Sequence, residues 1–285
     1  MVGSVNMDLV FGVADLPEPG QTVLASALHS EPGGKGGNQA VAAARAGADV
    51  RLVAALGTDA TGTTLRKHLQ DNGVSLNGTV SLPVPSGTAA IMVGSSPDNP
   101  TENMIVVAPG ANAHLTLDSA HVRAVVADCE VLLLQLEIPA ATALAAARLA
   151  KDSGAKVVLN ASPAGTDPGT LAALAAVTDV VIVNETEAAG WHWPVAHLVV
   201  TQGARGALLR TPDGETHVPA PEVEAVDSTG AGDVFAGVLA AGWRADPVRA
   251  LLRAVTAGAL ATLTPGAGNC APYDEAIEDA LGPAD

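Results

Sequence analysis

The sequence predicts an α/β protein whose mostly parallel sheet is covered by helices on both faces. Short apolar runs alternate with helical patterns in the second half of the chain, for example at 131–136, 140–152 and 156–159. The apolar runs are continuous, which is typical of strands that are buried on both faces. A chain of 285 residues with 48% hydrophobic content is long enough to bury such a core.

Charge and cysteine content narrow the function classes. Thirty acidic and 14 basic residues give a formal net charge of −16, which repels nucleic acid and anionic membranes and favours small-molecule partners. Cys129 and Cys270 lie far apart in the sequence, so neither a disulfide framework nor a zinc site is predicted, and a reducing cytoplasm is expected. Neither a signal peptide nor a membrane-spanning run is recognisable, so export and membrane insertion are not expected.

The chain opens with a strand pattern over residues 2–10, in which Asn6 and Asp8 are two positions apart and project from one face. Paired polar groups at a strand's end are typical of a binding site, and equally of a strand that ends in a turn. Because the chain begins almost inside this pattern, we expect a short first strand. A small antiparallel sheet is also predicted, from β-like runs at 22–24, 27–29, 87–93 and 103–107, the last two separated by a polar turn at 95–102.

A glycine-rich segment over residues 32–39, Pro-Gly-Gly-Lys-Gly-Gly-Asn-Gln, leads into a predicted helix at 40–48. A phosphate-binding Walker loop needs Ser or Thr after Gly-Lys, and Gly36 stands there, which argues against that loop. Lys35 and Asn38 remain as donors to the hydroxyl groups of a polar ligand that approaches the bare backbone. A flexible surface turn is the alternative interpretation.

Alternating elements fill most of the remaining chain, with strands predicted at 50–56, 131–136, 156–159 and 180–183 and helices at 62–72, 119–127, 140–152, 170–176 and 247–260. In open α/β sheets, ligands bind at the carboxyl ends of the strands. We therefore expect one rim of the sheet to collect the polar residues that end or follow strands, namely Asn6, Asp8, Glu137, Asn160, Asn184, Glu187 and Thr201.

Three later segments each have two interpretations. In the sequence Asn-Glu-Thr-Glu, Asn184 and Glu187 either cap a helix or hold hydrated Mg²⁺. The strand, glycine turn and strand at 198–209 either contact a nucleotide or only reverse the chain. The Gly-rich loop at 262–270 either exposes carbonyl oxygens to a cation or is an ordinary connection.

Residues 225–237 carry the strongest chemical signal, since a predicted strand is joined to a helix through Gly230 and Gly232, with Asp233 in the first helical turn. A bare backbone and the positive end of a helix dipole suit an anion such as phosphate. Asp233 would then take a proton from a hydroxyl while the amides hold the charge on a transferred phosphoryl group. A capped helix with a tight glycine turn is the alternative.

Five motifs now occur in order along the chain, at 2–8 (Val-Gly-Ser-Val-Asn-Met-Asp), 33–40 (Gly-Gly-Lys-Gly-Gly-Asn-Gln-Ala), 135–137 (Gln-Leu-Glu), 184–187 (Asn-Glu-Thr-Glu) and 227–233 (Asp-Ser-Thr-Gly-Ala-Gly-Asp). Together they resemble the ribokinase branch of the PfkB sugar-kinase family, over nearly the whole chain. The lysine within the glycine turn, followed by Asn-Gln, is the feature that points to this branch.

The resemblance implies a ribokinase-like three-layer α/β sandwich with a mostly parallel central sheet. It implies one domain over residues 1–285, with a small antiparallel β lid from about 9–32 and 82–109. The implied activity is ATP-dependent phosphorylation of the 5-hydroxyl of D-ribose in the cytoplasm, with Mg²⁺ and a monovalent cation, K⁺. The implied partners are the sugar, ATP and a second copy of the chain paired through the lid, with neither nucleic acid nor membrane.

The resemblance also assigns roles to residues. The sugar hydroxyls would be bound by Asn6, Asp8, Gly34, Lys35, Asn38 and Glu137, with Asp233 as the general base. Amides for the transferred phosphoryl group would come from Gly230, Ala231 and Gly232, and the nucleotide would contact Asn184, Thr201, Gly203, Gly206 and Gly232. Mg²⁺ would be held through water by Asn184 and Glu187, and K⁺ by Asp227 and the carbonyls of Thr229, Ala261, Thr264, Gly266 and Cys270.

The chain departs from the expected pattern on the nucleotide and cation side. Segment 190–197 is shorter than the helix-bearing connection that the resemblance implies, Val255 takes a position that often offers His or Asn to adenine, and Cys270 stands where Ser is common. A kinase for another sugar or nucleoside, such as deoxyribose, and a catalytically silent sugar-binding homologue remain as alternatives. A dinucleotide fingerprint at 230–236 is disfavoured because it lies late in the chain.

Overall fold

The computed structural model describes residues 1–94 and 103–282. In these ranges the strands are β1 (Asn6–Val13), β2 (Ala27–Gly33), β3 (Ala55–Gly57), β4 (Val80–Leu82), β5 (Gly87–Gly94), β6 (Asn103–Ala108), β7 (Val131–Leu134), β8 (Lys156–Asn160), β9 (Val180–Asn184), β10 (His197–Thr201), β11 (Ala207–Thr211) and β12 (Gly214–Val218). The helices are α1 (Lys35–Arg45), α2 (Ala60–Asp71), α3 (Ala120–Ala127), α4 (Ala140–Asp152), α5 (Pro168–Ala175), α6 (Glu185–Gly190), α7 (Ala231–Gly242), α8 (Pro247–Ala261) and α9 (Asp274–Leu281).

The central sheet has the strand order β12-β11-β10-β9-β8-β7. Strands β7 to β10 are parallel, and β11 and β12 add two antiparallel pairings at one edge. At the other edge Val2 forms isolated parallel bridges to Leu134 and to Val53, which link this sheet to the parallel pair β3–β4. The predicted mostly parallel central sheet is therefore confirmed.

Both faces of the central sheet are covered, so the fold has three layers. In β8, Val158 packs into the core formed with α1, α7 and α8, whereas Val157 and Leu159 pack into the core formed with α3 and α4, because successive side chains of a strand point to opposite faces. Helix α4 buries Ala143, Ala146, Ala147 and Ala150 at helical spacing. In the described ranges, none of the helices has the length and apolar character needed to cross a bilayer.

A second, four-stranded sheet has the order β2-β1-β5-β6, and we call it the lid sheet. Its outer pairings, β1–β2 and β5–β6, are antiparallel as expected, whereas the central pair β1–β5 is parallel. The lid sheet is therefore mixed, and the expectation of a wholly antiparallel lid is wrong for the β1–β5 pair. The predicted polar turn at 95–102 lies outside the described residues.

The first predicted strand is wrong in its start. Strand β1 begins at Asn6, and Val2 contributes only isolated bridges. The backbone between Val2 and Asn6 packs tightly against α1, since a Cβ built on Gly3 would lie 2.8 Å from the Cα of Gly36. The segment that was expected to start a strand therefore packs against the first helix, α1.

Other element predictions differ in extent. The β-like run at 22–24 is not a strand in the structure, and Leu24 there is 92% exposed. The predicted strand 50–56 contracts to β3 with isolated bridges before it. The predicted helix 140–152 is confirmed as α4, and segment 190–197 contains no helix beyond the end of α6.

Candidate active site

Helix α7 begins at a glycine turn, as the sequence predicts. Gly230 is the N-cap with φ 81°, and a Cβ on it would lie 2.7 Å from the Cα of Ala267, so glycine is needed for both conformation and space. The strand predicted before this turn is not formed. The N–H groups of Val226 and Asp227 instead donate to the carbonyl of Thr262, at 2.8 and 3.0 Å.

The first turn of α7 offers backbone amides that the helix itself cannot satisfy. Gly232 has open space where a Cβ would be, which leaves room for a ligand at the backbone. The N–H of Ala231 makes a long bond, 3.3 Å, to the carbonyl of Ser228. This helix end therefore has the form of an anion site, with the amide of Ala231 partly engaged.

Asp233 lies in that first turn and is only 8% exposed. Its Oδ2 accepts a hydrogen bond from Asn38 Nδ2 at 3.0 Å, and its Oδ1 accepts one from Gln39 Nε2 at 2.9 Å. Helices α1 and α7 approach closely because Gly237 leaves no side chain between the helix and the carbonyl of Gln39. The predicted base and the predicted sugar donor Asn38 are thus in direct contact.

Lys35 opens α1 beside two carboxylates. Its backbone N–H donates to Glu137 Oε2 at 3.0 Å, and Ser4 Oγ donates to the same oxygen at 2.5 Å. The charge of Asp233, followed by burial acting in the opposite sense and by Glu137, holds the pKa of Lys35 above its ordinary value. Lys35 therefore keeps its positive charge, and it can donate hydrogen bonds near the predicted base and Glu137.

The turn before α1 depends on Gly34, which has φ 84°. A Cβ at this position would lie 2.7 Å from the backbone nitrogen of Asn6. The positive φ and the close approach together exclude larger residues. Gly34 therefore sets the contact between strand β1 and the start of α1, where the predicted sugar residues meet.

Asp8 is a buried carboxyl among like charges. Burial, then the charges of Glu31, Glu137 and Asp233, raise its pKa to about 7. Gly33 makes room for it, because a Cβ there would overlap the Asp8 carboxylate. A ligand hydroxyl that donates to Asp8 would stabilise the ionised form.

Asn112 belongs to this cluster and was missed at the level of sequence. It lies in the short 3₁₀ segment after β6 and is 1% exposed. Its Nδ2 donates to Asn6 Oδ1 at 2.8 Å and to the carbonyl of Val5 at 3.1 Å, while its Oδ1 accepts from the N–H of Val5 at 3.0 Å. Asn112 therefore orients Asn6, and its only sequence signal is a polar residue after a strand.

The residues predicted to hold K⁺ are brought together only in part. Asp227 Oδ1 accepts from the N–H and hydroxyl of Thr229 at 2.8 and 2.6 Å, and Oδ2 accepts from the N–H of Gly266 at 2.9 Å. Burial raises the pKa of Asp227, but the bonds from Gly266 and Thr229 outweigh it, so the pKa lies below its ordinary value. Ala261 and Thr264 are joined in their own turn, since the carbonyl of Ala261 accepts from the N–H of Thr264 at 3.2 Å.

Cys270 is a buried thiol beside this loop. Burial, with smaller contributions from Asp233 and Asp227, raises its pKa to about 11. Its Sγ lies 3.8 Å from the carbonyl oxygen of Thr229 and 3.4 Å from that of Ala267. The side chain is therefore a neutral, weak donor to the carbonyls of the loop.

On the nucleotide side, Asn184 and Glu187 form a capping box at the start of α6. The N–H of Glu187 donates to Asn184 Oδ1 at 2.8 Å, and the N–H of Asn184 donates to Glu187 Oε2 at 2.9 Å. The capping interpretation is thus confirmed. The charge of Glu187 also contributes to the raised pKa of Lys35, so this carboxylate is close enough to act on the sugar side.

Thr201 ends β10 in register with Asn184 of β9. The following turn holds Gly203 at φ 57° and Gly206 at φ 95°, and a Cβ on Gly206 would overlap the carbonyl of Val218. The turn therefore reverses the chain between two antiparallel strands. The β9–β10 register puts two of the predicted nucleotide residues, Asn184 and Thr201, beside each other at the ends of their strands.

The polar cluster, and not a large cavity, defines the candidate site. A cavity of about 800 Å³ opens at the opposite end of the sheet, lined among others by Met1, Arg51, Cys129 and Arg244. None of the predicted site residues is in its wall. In the described part of the chain, no group of three His, Cys, Asp or Glu side chains is arranged to hold a metal ion.

Comparison with known proteins decides the family. A model of the pfkB family of carbohydrate kinases matches residues 1–274. The chain belongs to this PfkB family. Its enzyme class is therefore that of a carbohydrate kinase, and the predicted family resemblance is confirmed.

Curated members of the PfkB family that resemble the chain include kinases for two sugars. The ribokinase of Haemophilus influenzae is 35% identical over 83% of the chain and 82% of the relative. The deoxyribokinase of Salmonella typhi is 33% identical over 84% of the chain and 83% of the relative. The bifunctional ribokinase/ribose-5-phosphate isomerase A of Fructilactobacillus sanfranciscensis is 33% identical over 97% of the chain, which spans 55% of that longer protein.

Solved structures of PfkB kinases share the fold. The ribokinase of Thermotoga maritima superposes with a TM-score of 0.87 at 30% identity, covering 98% of this chain and 97% of that one. The ribokinase of Arabidopsis thaliana, in complex with ribose and ATP, superposes with a TM-score of 0.88 at 27% identity, covering 99% and 98%. The predicted ribokinase-like three-layer fold is thus confirmed.

Proposed function

We propose that this PfkB kinase transfers the γ-phosphoryl group of ATP to the primary 5-hydroxyl of D-ribose, giving D-ribose 5-phosphate and ADP. The observation that carries the proposal is the contact between Asp233, at the amide-rich start of α7, and Asn38, in a cluster with Lys35. The proposed base and hydroxyl donors thus lie close to the amide-rich start of α7, which supports the proposal. The ribokinases among the relatives support the choice of sugar.

The sugar hydroxyls need paired donors and acceptors. Asp8 and Glu137 would supply oxygens, Asn6, Lys35 and Asn38 would supply N–H donors, and Gly34 would let the sugar approach the backbone. The raised pKa of Asp8 fits a carboxylate whose ionised form would be stabilised by hydrogen bonds from the sugar hydroxyls. Asn112 holds Asn6 Oδ1, which leaves the amide nitrogen of Asn6 to face the ligand.

In the reaction, Asp233 takes the proton of the 5-hydroxyl as that oxygen attacks the γ-phosphorus. The bond between the γ-phosphorus and the β,γ-bridging oxygen breaks, and the electron pair leaves on ADP. The amides of Gly230, Ala231 and Gly232 stabilise the charge on the phosphoryl group during transfer. Lys35 adds a positive charge on the same side.

Bound Mg²⁺ would neutralise charge on the ATP phosphates. Asn184 and Glu187 present an amide and a carboxylate oxygen, a donor set that suits Mg²⁺ held through water. For K⁺, Asp227 and the carbonyls of Thr229, Ala261, Thr264, Gly266 and Cys270 are the proposed donors. The hydrogen bonds that join Asp227, Thr229 and Gly266 support a loop of this kind beside α7.

The nucleotide would lie along the β10–β11 turn, against Asn184, Thr201, Gly203, Gly206 and Gly232. The register of Thr201 with Asn184 supports this arrangement. We place the reaction in the cytoplasm, where ATP is supplied and cysteines stay reduced. The chain would act as one domain over 1–285, with the lid at about 9–32 and 82–109.

A homodimer through the lid sheet is part of the proposal. The lid sheet carries exposed apolar side chains on its edge strands, with Leu28 in β2 61% exposed and Val106 in β6 60% exposed. Met104, two residues before Val106 and also exposed, lies on the same face of the lid sheet as Val106 and Leu28. Exposed apolar side chains on one face favour association with a second protein surface.

Deoxyribose is the second candidate substrate, because a deoxyribokinase is nearly as similar to the chain as the ribokinases are. The test is ADP release from ATP with D-ribose, 2-deoxy-D-ribose and a nucleoside, with K⁺ and with Li⁺. We expect the highest kcat/KM with D-ribose and stimulation by K⁺. A higher value with 2-deoxy-D-ribose would replace the proposed sugar, and turnover with none of them would favour a silent sugar-binding protein.

A further inference from the structure

A chain of buried amide side chains lies behind Asp233. Gln39 and Gln135 are 0% exposed, and Asn160 is 8% exposed. Gln39 Nε2 donates to Asp233 Oδ1 and to Asn160 Oδ1, each at 2.9 Å, and Gln39 Oε1 accepts from Gln135 Nε2 at 2.6 Å. Both N–H groups of Gln39 are therefore used, one of them on the proposed base.

The direction of these hydrogen bonds is fixed by their surroundings. Asn160 Nδ2 donates to the carbonyl of Ile182 at 3.4 Å, so Asn160 must turn its oxygen to Gln39. A reversed Gln39 amide would place its oxygen against two acceptor oxygens, those of Asn160 and Asp233. Gln39 therefore presents N–H groups to Asp233 in only one orientation.

The side chain of Gln135, the last of these amides, shows that the orientation lowers the stability of the fold. Gln135 Oε1 is buried without a hydrogen-bond partner, because Gln135 must turn its nitrogen to Gln39. An unpaired buried acceptor destabilises the fold, and an apolar side chain at position 135 would avoid that cost. The amide chain thus maintains a donor at Asp233 at the expense of stability.

We propose that Gln39 is a positioning residue for phosphoryl transfer, which holds the Asp233 carboxylate in the orientation needed to accept a proton. The inference rests on the proposed function, since it needs Asp233 as the base. A hydrogen bond donated to a carboxylate favours the charged form. Gln39 would act on the reaction through Asp233, to which it donates a hydrogen bond.

The charge of Asp233 acts on Lys35 of α1, Asp8 of β1 and Cys270 of the late loop. None of them is altered by changing Gln39. A shift in the pH dependence of a Gln39 variant therefore reports on the lost hydrogen bond.

The test compares Gln39→Met and Gln39→Glu with the matched control Gln135→Met. Each variant keeps the side chain's approximate volume, and Gln135→Met removes one bond of the same chain but leaves the donors to Asp233. We measure kcat, sugar KM and the pH–rate profile by ADP release. For Gln39→Met we expect kcat to fall on the order of 10–100-fold, as for loss of a hydrogen bond to a charged group, with sugar KM nearly unchanged.

The acidic limb of the pH–rate profile separates positioning from general stabilisation. We expect it to move to higher pH in Gln39→Met, and further in Gln39→Glu because a second carboxylate repels the first. In Gln135→Met the limb should stay where it is in the native chain. If Gln39→Met does not fold, Gln39→Glu, which keeps the shape of glutamine, carries the test.

A Gln39 variant with the native profile and native kcat would overturn the inference, as would equal shifts in the Gln39 and Gln135 variants. Asp233→Asn is assayed in parallel. If Asp233→Asn turns over at the native rate, the proposed function fails. If Asp233→Asn is inactive and the Gln39 variants are native, only the positioning role fails.

Discussion

Asn38 reaches Asp233 across 195 positions of the sequence, whereas Asn184 reaches Glu187 across three. The first contact belongs to the sugar half of the candidate site, which comprises Asn6, Asp8, Lys35, Asn38, Glu137 and Asp233. The second belongs to the nucleotide half, which comprises Asn184, Glu187, Thr201, Gly203 and Gly206. The sugar half is held by long-range hydrogen bonds between buried side chains, and the nucleotide half by local turns and an exposed helix cap.

This difference indicates where the site is preorganised. In the sugar half the polar side chains are already ordered in the folded chain. Substrate binding therefore loses little further conformational entropy in these side chains. In the nucleotide half the polar groups satisfy one another locally, and a ligand must compete with them. Changes in the sugar half should therefore alter catalysis or folding strongly, and changes in the nucleotide half should alter ATP binding more mildly.

The largest effect is expected at the proposed base in the sugar half. Asp233→Asn removes the proposed base while keeping its size, so kcat should fall on the order of 10²–10⁴-fold. ADP release with D-ribose measures it. Asp213→Asn, on the exposed β11–β12 turn, is the control and should behave as the native chain. Equal turnover in all three proteins would show that Asp233 is not the base.

Substitutions at two glycines of the proposed anion site distinguish an effect on folding from an effect on phosphate binding. Gly230→Ala should lower Tm, since φ 81° is strained for alanine and the Cβ would meet Ala267. Gly232→Ala has open space within the helix and should stabilise it by up to about 1 kcal/mol, while turnover falls because the methyl group occupies the phosphate position. Thermal unfolding and ADP release check both variants. A Gly232→Ala enzyme with full turnover would move the phosphate away from this turn.

Asp8→Asn tests the buried carboxyl through pH. The pKa of Asp8 is raised from 3.8 to about 7 in the folded chain, so the stability that its protonated form contributes is fully present below pH 3.8 and is lost as pH rises through about 7. Asparagine does not ionise. Without sugar, we therefore expect the Tm of the variant relative to the native chain to rise between about pH 4 and about pH 7 and to level off at higher pH.

The same substitution should weaken sugar binding above neutral pH, because it removes an acceptor of hydroxyl bonds. Differential scanning fluorimetry across pH, with and without D-ribose, measures both effects. A Tm difference that does not change with pH would mean that Asp8 is ionised normally.

The smallest effect is expected in the nucleotide half. Glu187→Ala removes a capping-box bond of an exposed helix, at a cost of about 0.5–1 kcal/mol in unfolding free energy. It should raise KM for ATP while KM for the sugar stays nearly native. Glu185→Ala, in the same helical turn and paired with Arg205, is the matched control. A larger change in sugar KM than in ATP KM would break the distinction between the halves.

The sequence predicted best what depends on local pattern. Helix 140–152 was predicted at its observed bounds because its alanines recur at helical spacing, and the glycine turn at Gly230 was recognised from residue type alone. The strand expected before that turn failed because its N–H groups bind the carbonyl of Thr262. That pairing depends on a loop more than 30 positions away, and local pattern carries no information about it.

Most residues of the candidate site could be predicted from the sequence, but the hydrogen bonds between them could not. Asp233, Asn38 and Lys35 stood out as polar residues next to glycines, and the structure brings them together. Asn112 and the roles of Gln39 and Gln135 could not be predicted, because a buried amide differs from a surface amide only in its neighbours. The capping box at 184–187 is established only by its hydrogen bonds, and the Mg²⁺ role of the same residues stays a prediction.

The central claim is that Asp233 acts on a sugar held by the buried half of the site. The most direct measurement is a crystal structure of the chain with D-ribose and a non-hydrolysable ATP analogue, read as the distance from the Asp233 carboxylate to the 5-hydroxyl oxygen. We predict about 2.6–3.2 Å, with the γ-phosphate at the start of α7. A 5-hydroxyl out of reach of Asp233, with another carboxylate beside it, would contradict the claim.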